Sequence, residues 1–198
     1  EGEAADLYFD TSTPEMAAAA TMAAAARRAL AGVPIDLAVQ QAAGRRRRLL
    51  LADMDSTIIT VECIDEMADM LGLRDEVAAI TAAAMAGEID FAEALRRRVG
   101  LLAGLEVGAL ARLYEERVSL TDGARTLVRT MRAEGAFTVL ISGGFSFFTE
   151  RVARAAGFDC HIANRLSLAD GRLDGTVLSP IVDAASKLEA LQRLVAEH

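Results

Sequence analysis

The chain has 198 residues, of which 53% are hydrophobic, and its formal net charge is −8. This length and composition suit one large domain, or a domain with a subdomain, built on a packed core, and they exclude a chain that is disordered throughout. The negative charge argues against nucleic acid or an anionic membrane as a partner, although residues 45–48 are four adjacent arginines.

The two cysteines give no signal of a metal site or a disulfide. Cys63 and Cys160 lie far apart and form no C-x-x-C pair, so neither a zinc site nor a disulfide framework is indicated. A reducing cytoplasm fits this cysteine usage, and we predict a cytoplasmic protein.

Residues 1–44 are predicted to form an N-terminal helix and a lead-in to the core, and they could be the remnant of an upstream domain. Thr13 is a plausible N-cap, Pro14 suits the first helical position, and the alanine-rich helix should end near Gly32. Residues 35–38 could form a short strand. The alanine-rich segment is too short for a membrane span and no basic region precedes it, so no targeting signal is predicted.

The first core strand is predicted at residues 49–53, and two carboxylates, Asp53 and Asp55, lie where it ends. In open α/β sheets ligands bind beyond the carboxyl ends of the strands, and an acidic pair there indicates a metal-assisted nucleophile with an acid/base partner. A calcium-binding loop is excluded, because Ile58 and Ile64 stand where that loop requires Gly and Glu. A solvated acidic turn is the remaining alternative.

Residues 61–120 have a helical pattern throughout, with two apolar stripes at helical spacing. The stripes are Ile64, Met67, Ala68 and Leu71, and then Phe91, Leu95, Val99 and Leu102. A helical insert of this length directly after a strand with catalytic features predicts a small cap over the active crevice. The alternative is an ordinary helical layer packed on the sheet.

A second strand that ends in polar residues is predicted after the insert. Thr121 should cap a helix that Gly135 ends, and residues 137–141 should form a strand. The segment Ser142-Gly143-Gly144 follows at once and is predicted to be a phosphate cradle, with free N–H groups and a hydroxyl donor. Plain turn chemistry would use the same residues.

The C-terminal part is predicted to contain a hairpin and a final helix. Asp170-Gly171 should form the hairpin turn, and residues 184–198 should be helical. Lys187 in this helix is the only lysine of the chain. Every other Lys-or-Arg position of the chain is arginine. The retention of a lysine at position 187 therefore indicates a compact ammonium that bridges a nucleophilic carboxylate and a phosphate. Chance survival of one exposed lysine is the alternative.

Together these motifs resemble the phosphoserine phosphatases of the haloacid dehalogenase superfamily, from about Arg45 to the last residue. The D-x-D-S-T opening at residues 53–57 indicates the superfamily, and Ser142-Gly143-Gly144-Phe145 and Lys187 agree with it. The phosphoserine branch is indicated by Glu62 and by residues 84–91 and 96–99, and residues 62–66 belong to the overall resemblance. The resemblance implies an α/β fold, a Rossmann-like parallel sheet core. Its core would comprise residues 45–60 and 121–198, and a helical cap, residues 61–120, would follow the first core strand.

The resemblance also implies the chemistry, the hydrolysis of O-phosphoserine in serine biosynthesis. Asp53 would attack phosphorus to form an aspartyl phosphate, and Asp55 would protonate the departing serine oxygen and then activate water. Mg²⁺ would be bound by the Asp53 carboxylate and the Asp55 backbone carbonyl. Ser142, the Gly143 amide and Lys187 would neutralise the phosphoryl oxygens.

The cap residues are implied to bind the serine end of the substrate. Glu62 and Arg98 would hold the amino and carboxyl groups, since their charges complement a zwitterion. Met85 and Phe91 would line the same pocket and help to exclude water. A purely structural role in the helical layer is the alternative for each of these four residues.

Family members carry a further Gly-Asp-Gly-x-Asn-Asp type segment, which supplies the remaining metal carboxylate and is not found in this sequence. The C-terminal part of the core is therefore expected to be missing, and the chain is expected to bind Mg²⁺ weakly and to be inactive or nearly so. Two other functions stay open. One is a phosphatase or phosphotransferase for another small phosphomonoester, and the other is a non-catalytic binding or regulatory protein on the same fold.

Overall fold

The computed structural model describes residues 5–9 and 19–198, and the chain divides into two units, residues 1–47 and 48–198. In the first unit, α1 (Ala19–Ala29) ends three residues before Gly32, whose φ is +87°. Residues 35–38 form no strand, so that prediction was wrong: they pair with no strand of the described residues, and Ile35 is 59% exposed. Thr13 and Pro14 lie outside the described residues.

The second unit contains the other elements of the fold. A kinked turn (Met54–Ile58) follows the first strand, with only Asp53 between them. Inside it Asp55 has an extended backbone and Ser56 has φ of +51°. The elements in chain order are β1 (Leu49–Ala52), α2 (Cys63–Met70), α3 (Arg74–Met85), α4 (Phe91–Leu101), α5 (Val107–Arg117), α6 (Ala124–Ala133), β2 (Phe137–Phe145), α7 (Ser146–Ala156), β3 (Cys160–Ala169), β4 (Arg172–Leu178) and α8 (Ala184–Glu197).

The four strands form one mostly parallel sheet in the order β1-β2-β3-β4. β1 and β3 both pair with β2 in parallel, and β4 runs antiparallel to β3. The β3–β4 hairpin turns at Asp170 and Gly171, with φ of +50° and +75°, as the sequence predicted. The predicted α/β fold, with helices inserted after the first core strand, is confirmed.

Two element boundaries differ from the predicted ones. Helix α6 has Gly123 at its N-cap, with φ of +83°, and the Thr121 carbonyl instead accepts a hydrogen bond from Ala124 N at 3.0 Å. Strand β2 continues through the Ser-Gly-Gly segment to Phe145, because Phe145 returns to the β3 ladder opposite Asn164. The segment Ser142-Gly143-Gly144, predicted to follow the strand, is therefore part of a bulged strand end.

The helical insert, residues 61–120, shares one apolar core with the sheet. Met67, Ala68, Val99 and Leu102 are fully buried, so both predicted stripes pack inward, although Leu71 and Phe91 at their ends are 38% and 40% exposed.

The insert is joined to the sheet side at two places. Near its ends, Ile59 bridges to Leu120. Farther along, Gly104 N donates to Leu173 O at 2.8 Å and Leu173 N donates to Leu105 O at 2.9 Å. These backbone hydrogen bonds hold the helices over the carboxyl ends of the strands. Within residues 5–9 and 19–198, no helix has the length and apolarity needed to cross a lipid bilayer.

Candidate active site

A cavity of about 220 Å³ opens between the carboxyl ends of β1 and β2 and the helical insert. Carboxylates, cations, small residues and apolar side chains share its wall. The lining residues are Asp53, Asp55, Glu62, Ile64, Phe91, Leu95, Arg98, Ser142, Gly143, Gly144, Phe145 and Lys187. The structure thus brings together all the predicted site residues except Met85.

Asp53 is held at both carboxylate oxygens. It directly follows β1, and its Oδ1 accepts a hydrogen bond from Met54 N at 2.8 Å. Its Oδ2 accepts one from the Lys187 ammonium. The side chain remains 45% exposed, so the oriented carboxylate is accessible from the cavity.

The kinked turn at Met54–Ile58 brings Asp55 to the same cavity as Asp53. Met54 between them is fully buried, so the turn anchors its apolar residue in the core while both carboxylates line the cavity. Burial raises the pKa of Asp55 to about 6, and the negative charges of Glu62 and Asp53 add to this, against a hydrogen-bond contribution from Cys63. A carboxyl with this pKa can both give up and accept a proton near neutral pH.

Ser142 is buried and presents a hydroxyl at the end of β2. Its Oγ accepts a hydrogen bond from Gly144 N at 2.9 Å, which leaves the hydroxyl proton able to bond to a ligand oxygen. A Cβ at Gly144 would lie 2.9 Å from Asp55 Oδ2, and one at Gly143 would lie 3.0 Å from Phe91 Cζ. A methyl group at either position would therefore displace a side chain of the cavity wall.

Lys187 reaches the cavity from the first turn of α8. Asp183 is the N-cap of this helix, and its carboxylate accepts hydrogen bonds from Ser186 N and Oγ at 2.8 and 2.9 Å. The Lys187 side chain is 32% exposed. The cap fixes the helix start, so the ammonium projects to Asp53 from a defined position.

Glu62 and Arg98 place opposite charges on the insert side of the cavity. Glu62 Oε1 accepts a hydrogen bond from Ser56 Oγ at 2.6 Å. Arg98 Nε donates to Ala94 O at 3.3 Å and Nη1 donates to Thr81 Oγ1 at 3.5 Å. Burial lowers the pKa of Arg98, against the opposing effect of nearby carboxylates. Arg98 stays cationic, since arginine is effectively always protonated.

The structure does not place Met85 in the cavity. It is the last residue of α3 and is 85% exposed, while the buried residue of that helix is Val77. The expectation that Met85 lines the pocket is therefore not met. Phe91 does line it, at the start of α4.

Several residues of the site were not predicted. Ile64, Leu95 and Phe145 form apolar parts of the wall, and the first two were predicted only as packing residues. Asn164 in β3 is fully buried behind the wall and donates to Gly143 O at 2.8 Å. An asparagine inside a strand of mixed polarity gives no signal for this contact.

Comparison with known proteins identifies the family of the chain. The sequence model of the haloacid dehalogenase-like hydrolases matches residues 50–198. The chain belongs to this family. Enzymes of the family are hydrolases, and the candidate site occupies the matched region.

Three curated relatives are phosphoserine phosphatases. The one from Archaeoglobus fulgidus is 43% identical over 154 residues, which are 78% of this chain and 44% of that protein. The one from Idiomarina loihiensis is 47% identical, over 74% of this chain and 66% of its own length. The one from Lactococcus lactis subsp. lactis is 42% identical, over 76% of this chain and 69% of its length. The chain therefore spans 44 to 66% of the first two relatives.

Two solved structures of phosphoserine phosphatase share the fold. One is a phospho-aspartyl intermediate analogue, with a TM-score of 0.70 and 33% identity over 77% of this chain and 72% of that one. The other is a substrate-bound complex, with a TM-score of 0.70 and 32% identity over the same shares of the two chains, 77% and 72%.

The donor set at the cavity fits a hard divalent cation only in part. Within residues 5–9 and 19–198, no three His, Cys, Asp or Glu side chains lie close enough to hold a metal ion. The Asp53 and Asp55 carboxylates and the Asp55 carbonyl are oxygen donors, which Mg²⁺ prefers, and Mg²⁺ usually completes its shell with water and substrate phosphate.

Proposed function

We propose that the protein is a phosphoserine phosphatase, which hydrolyses O-phosphoserine to serine and inorganic phosphate through an aspartyl phosphate on Asp53. One observation carries the proposal. One cavity is lined by the Lys187–Asp53 pair and by Asp55, whose pKa is about 6. The same cavity is lined by the opposite charges of Glu62 and Arg98. This combination suits a small zwitterionic phosphate ester.

In the first step an Asp53 oxygen forms a bond to phosphorus while the bond from phosphorus to the serine oxygen breaks. Asp55 in its protonated form gives its proton to the departing oxygen, so serine leaves as an alcohol. The Ser142 hydroxyl, the Gly143 amide and the Lys187 ammonium surround the phosphoryl oxygens and stabilise their charge.

In the second step water attacks phosphorus and the bond to Asp53 breaks. Asp55, now a carboxylate, takes the proton of the attacking water, and inorganic phosphate is released with Asp53 restored. The pKa of Asp55 near 6 supports both roles, because each protonation state is accessible near neutral pH.

We propose Mg²⁺ as the cofactor, held by the Asp53 carboxylate and the Asp55 backbone carbonyl. When bound, it supplies positive charge to the phosphoryl oxygens.

The cysteines Cys63 and Cys160 are free, which supports a reducing compartment such as the cytoplasm.

The substrate class follows from Glu62 and Arg98. Both charges line the cavity, so a ligand phosphate at Ser142 and Lys187 would have its other end near them. The Glu62 carboxylate suits an ammonium group, and the Arg98 guanidinium suits a carboxylate in bidentate geometry.

A substrate panel tests this proposal with protein made from its complete coding sequence. O-phosphoserine should be hydrolysed with a higher kcat/KM than phosphoethanolamine, which lacks the carboxylate, and than p-nitrophenyl phosphate, which lacks both groups. Arg98→Leu should lower kcat/KM for O-phosphoserine about 10²-fold or more and leave p-nitrophenyl phosphate hydrolysis nearly unchanged.

Arg97→Leu is the matched control for this panel, since Arg97 is the adjacent residue, does not line the cavity and forms an exposed ion pair with Glu93. Equal turnover of all three esters, or equal effects of the two arginine substitutions, would overturn phosphoserine as the substrate.

A further inference from the structure

Asn164 joins two segments that meet at the phosphate end of the cavity. Its side chain is fully buried and every hydrogen-bonding group on it is used. Nδ2 donates to Gly143 O at 2.8 Å and to Val182 O at 3.1 Å, and Oδ1 accepts from Val182 N at 2.7 Å. An amide has two N–H donors, and both of them are engaged.

The first segment is the bulged end of β2. Ile141 pairs with Ile162 and Phe145 pairs with Asn164, so β2 takes four steps where β3 takes two. The additional residues depart from the regular ladder between these pairs, and the Gly143 carbonyl bonds to the Asn164 side chain. This bulge carries the Ser142 hydroxyl and the Gly143 amide.

The second segment leads into α8. Val182 directly precedes Asp183, the N-cap of the helix, and the Asp183 carbonyl accepts a hydrogen bond from Lys187 N at 3.0 Å. A Cβ on Gly143 would lie 3.8 Å from Val182 O, which shows how closely the two segments approach. The position of Val182 therefore sets where Lys187 leaves the helix.

We propose that Asn164 is a positioning residue that sets the distance between the Ser142–Gly143 donors and the Lys187 ammonium, and so tunes affinity for a phosphoryl group. The inference rests on the proposed function, because a gap of fixed width matters only if both groups bind one phosphate. Asn164 does not line the cavity and acts through the two segments. Donors held in advance bind an oxyanion better than donors that must be ordered on binding.

Binding of inorganic phosphate to Asn164→Ala, by calorimetry in buffer with Mg²⁺, separates this role from a purely structural one. The matched control is Thr138→Val, since Thr138 is also fully buried in the sheet, and its hydroxyl donates to Asp159 Oδ2 at 2.8 Å outside the cavity. Both substitutions should lower Tm. Only Asn164→Ala should weaken phosphate binding, by about tenfold or more. If Asn164→Ala does not fold, Asn164→Ser is measured by the same criterion.

A double-mutant cycle with Lys187→Ala supplies the second readout. The loss of phosphate affinity caused by Asn164→Ala should be much smaller when the ammonium is already gone. Fully additive losses, or phosphate binding by Asn164→Ala within about twofold of the unsubstituted protein, would overturn the inference. If the unsubstituted protein binds inorganic phosphate but does not hydrolyse O-phosphoserine, the proposed substrate is wrong, and the role of Asn164 in phosphate binding is still tested by the two variants.

Discussion

The Lys187 ammonium donates a hydrogen bond to Asp53 Oδ2, although the two residues lie 134 positions apart in the sequence. Met54 N holds the other carboxylate oxygen at 2.8 Å. The carboxylate is thus fixed in one orientation, and the ammonium stays beside it where phosphoryl charge would develop. Pairing of this kind prepares a carboxylate for attack without a further change of conformation.

Replacement of Lys187 should affect turnover much more than folding. Lys187→Met is expected to lower kcat by about 10²-fold or more, because a charge that stabilises the transferring group is lost. Lys187→Arg should recover little activity, since a planar guanidinium does not occupy the position of a compact ammonium. Steady-state kinetics check this, with Arg193→Met on the exposed side of α8 as the control. Full activity of Lys187→Met would contradict the account.

Asp55→Asn should stabilise the metal-free protein in a pH-dependent way. The pKa of Asp55 is raised from 3.8 to about 6 in the folded state, so the folded protein binds more protons than the unfolded chain between these values. Stability from this group is greatest below about pH 4 and is lost as pH rises through about 6. Asparagine is a neutral isostere of aspartate, so Asp55→Asn avoids that loss of stability.

The measurement is the free energy of unfolding in urea with a chelator present. The advantage of Asp55→Asn over the unsubstituted protein should grow by on the order of 2 kcal/mol between pH 4 and pH 8. Glu115→Gln, at an exposed carboxylate of α5, is the control for the loss of one carboxylate. An advantage that shrinks with rising pH would show that the assigned cause is wrong.

Gly144→Ala should impair the site while leaving the fold nearly intact. The backbone of Gly144 is not in the left-handed region, but the added Cβ would lie 2.9 Å from Asp55 Oδ2 and 3.1 Å from Ser142 Oγ. Displacement of these groups is expected to lower kcat by at least about tenfold. The control is Gly100→Ala in α4, where a Cβ meets nothing within 4 Å, and it should gain up to about 1 kcal/mol of stability. Equal kinetics for the two variants would refute the steric argument.

Much of the fold follows from local sequence patterns. The apolar runs that became β1 and the first half of β2, and the helical spacing of Met67, Leu95 and Val99, each identify their element before any long-range contact is known. Asp170-Gly171 identifies the hairpin, because both residues tolerate positive φ.

The features that were not predicted depend on long-range packing. The bulge that extends β2 to Phe145 requires β3 as a partner. Met85 resembled a pocket residue, but its exposure depends on which face of α3 packs inward. The three hydrogen bonds of Asn164 reach segments on either side of it in the sequence, 21 and 18 residues away. Patterns within one element contain no information on such contacts.

The location of a phosphoryl mimic tests the central claim most directly. A crystal structure of the protein made from its complete coding sequence, grown with Mg²⁺ and beryllium fluoride, should show the fluoride adduct bonded to a carboxylate oxygen of Asp53. The same structure should place Ser142 Oγ and Lys187 Nζ within hydrogen-bond distance of the fluorides. An adduct on Asp55 or on any other side chain, or a cavity without an adduct under conditions that support turnover, would contradict the account.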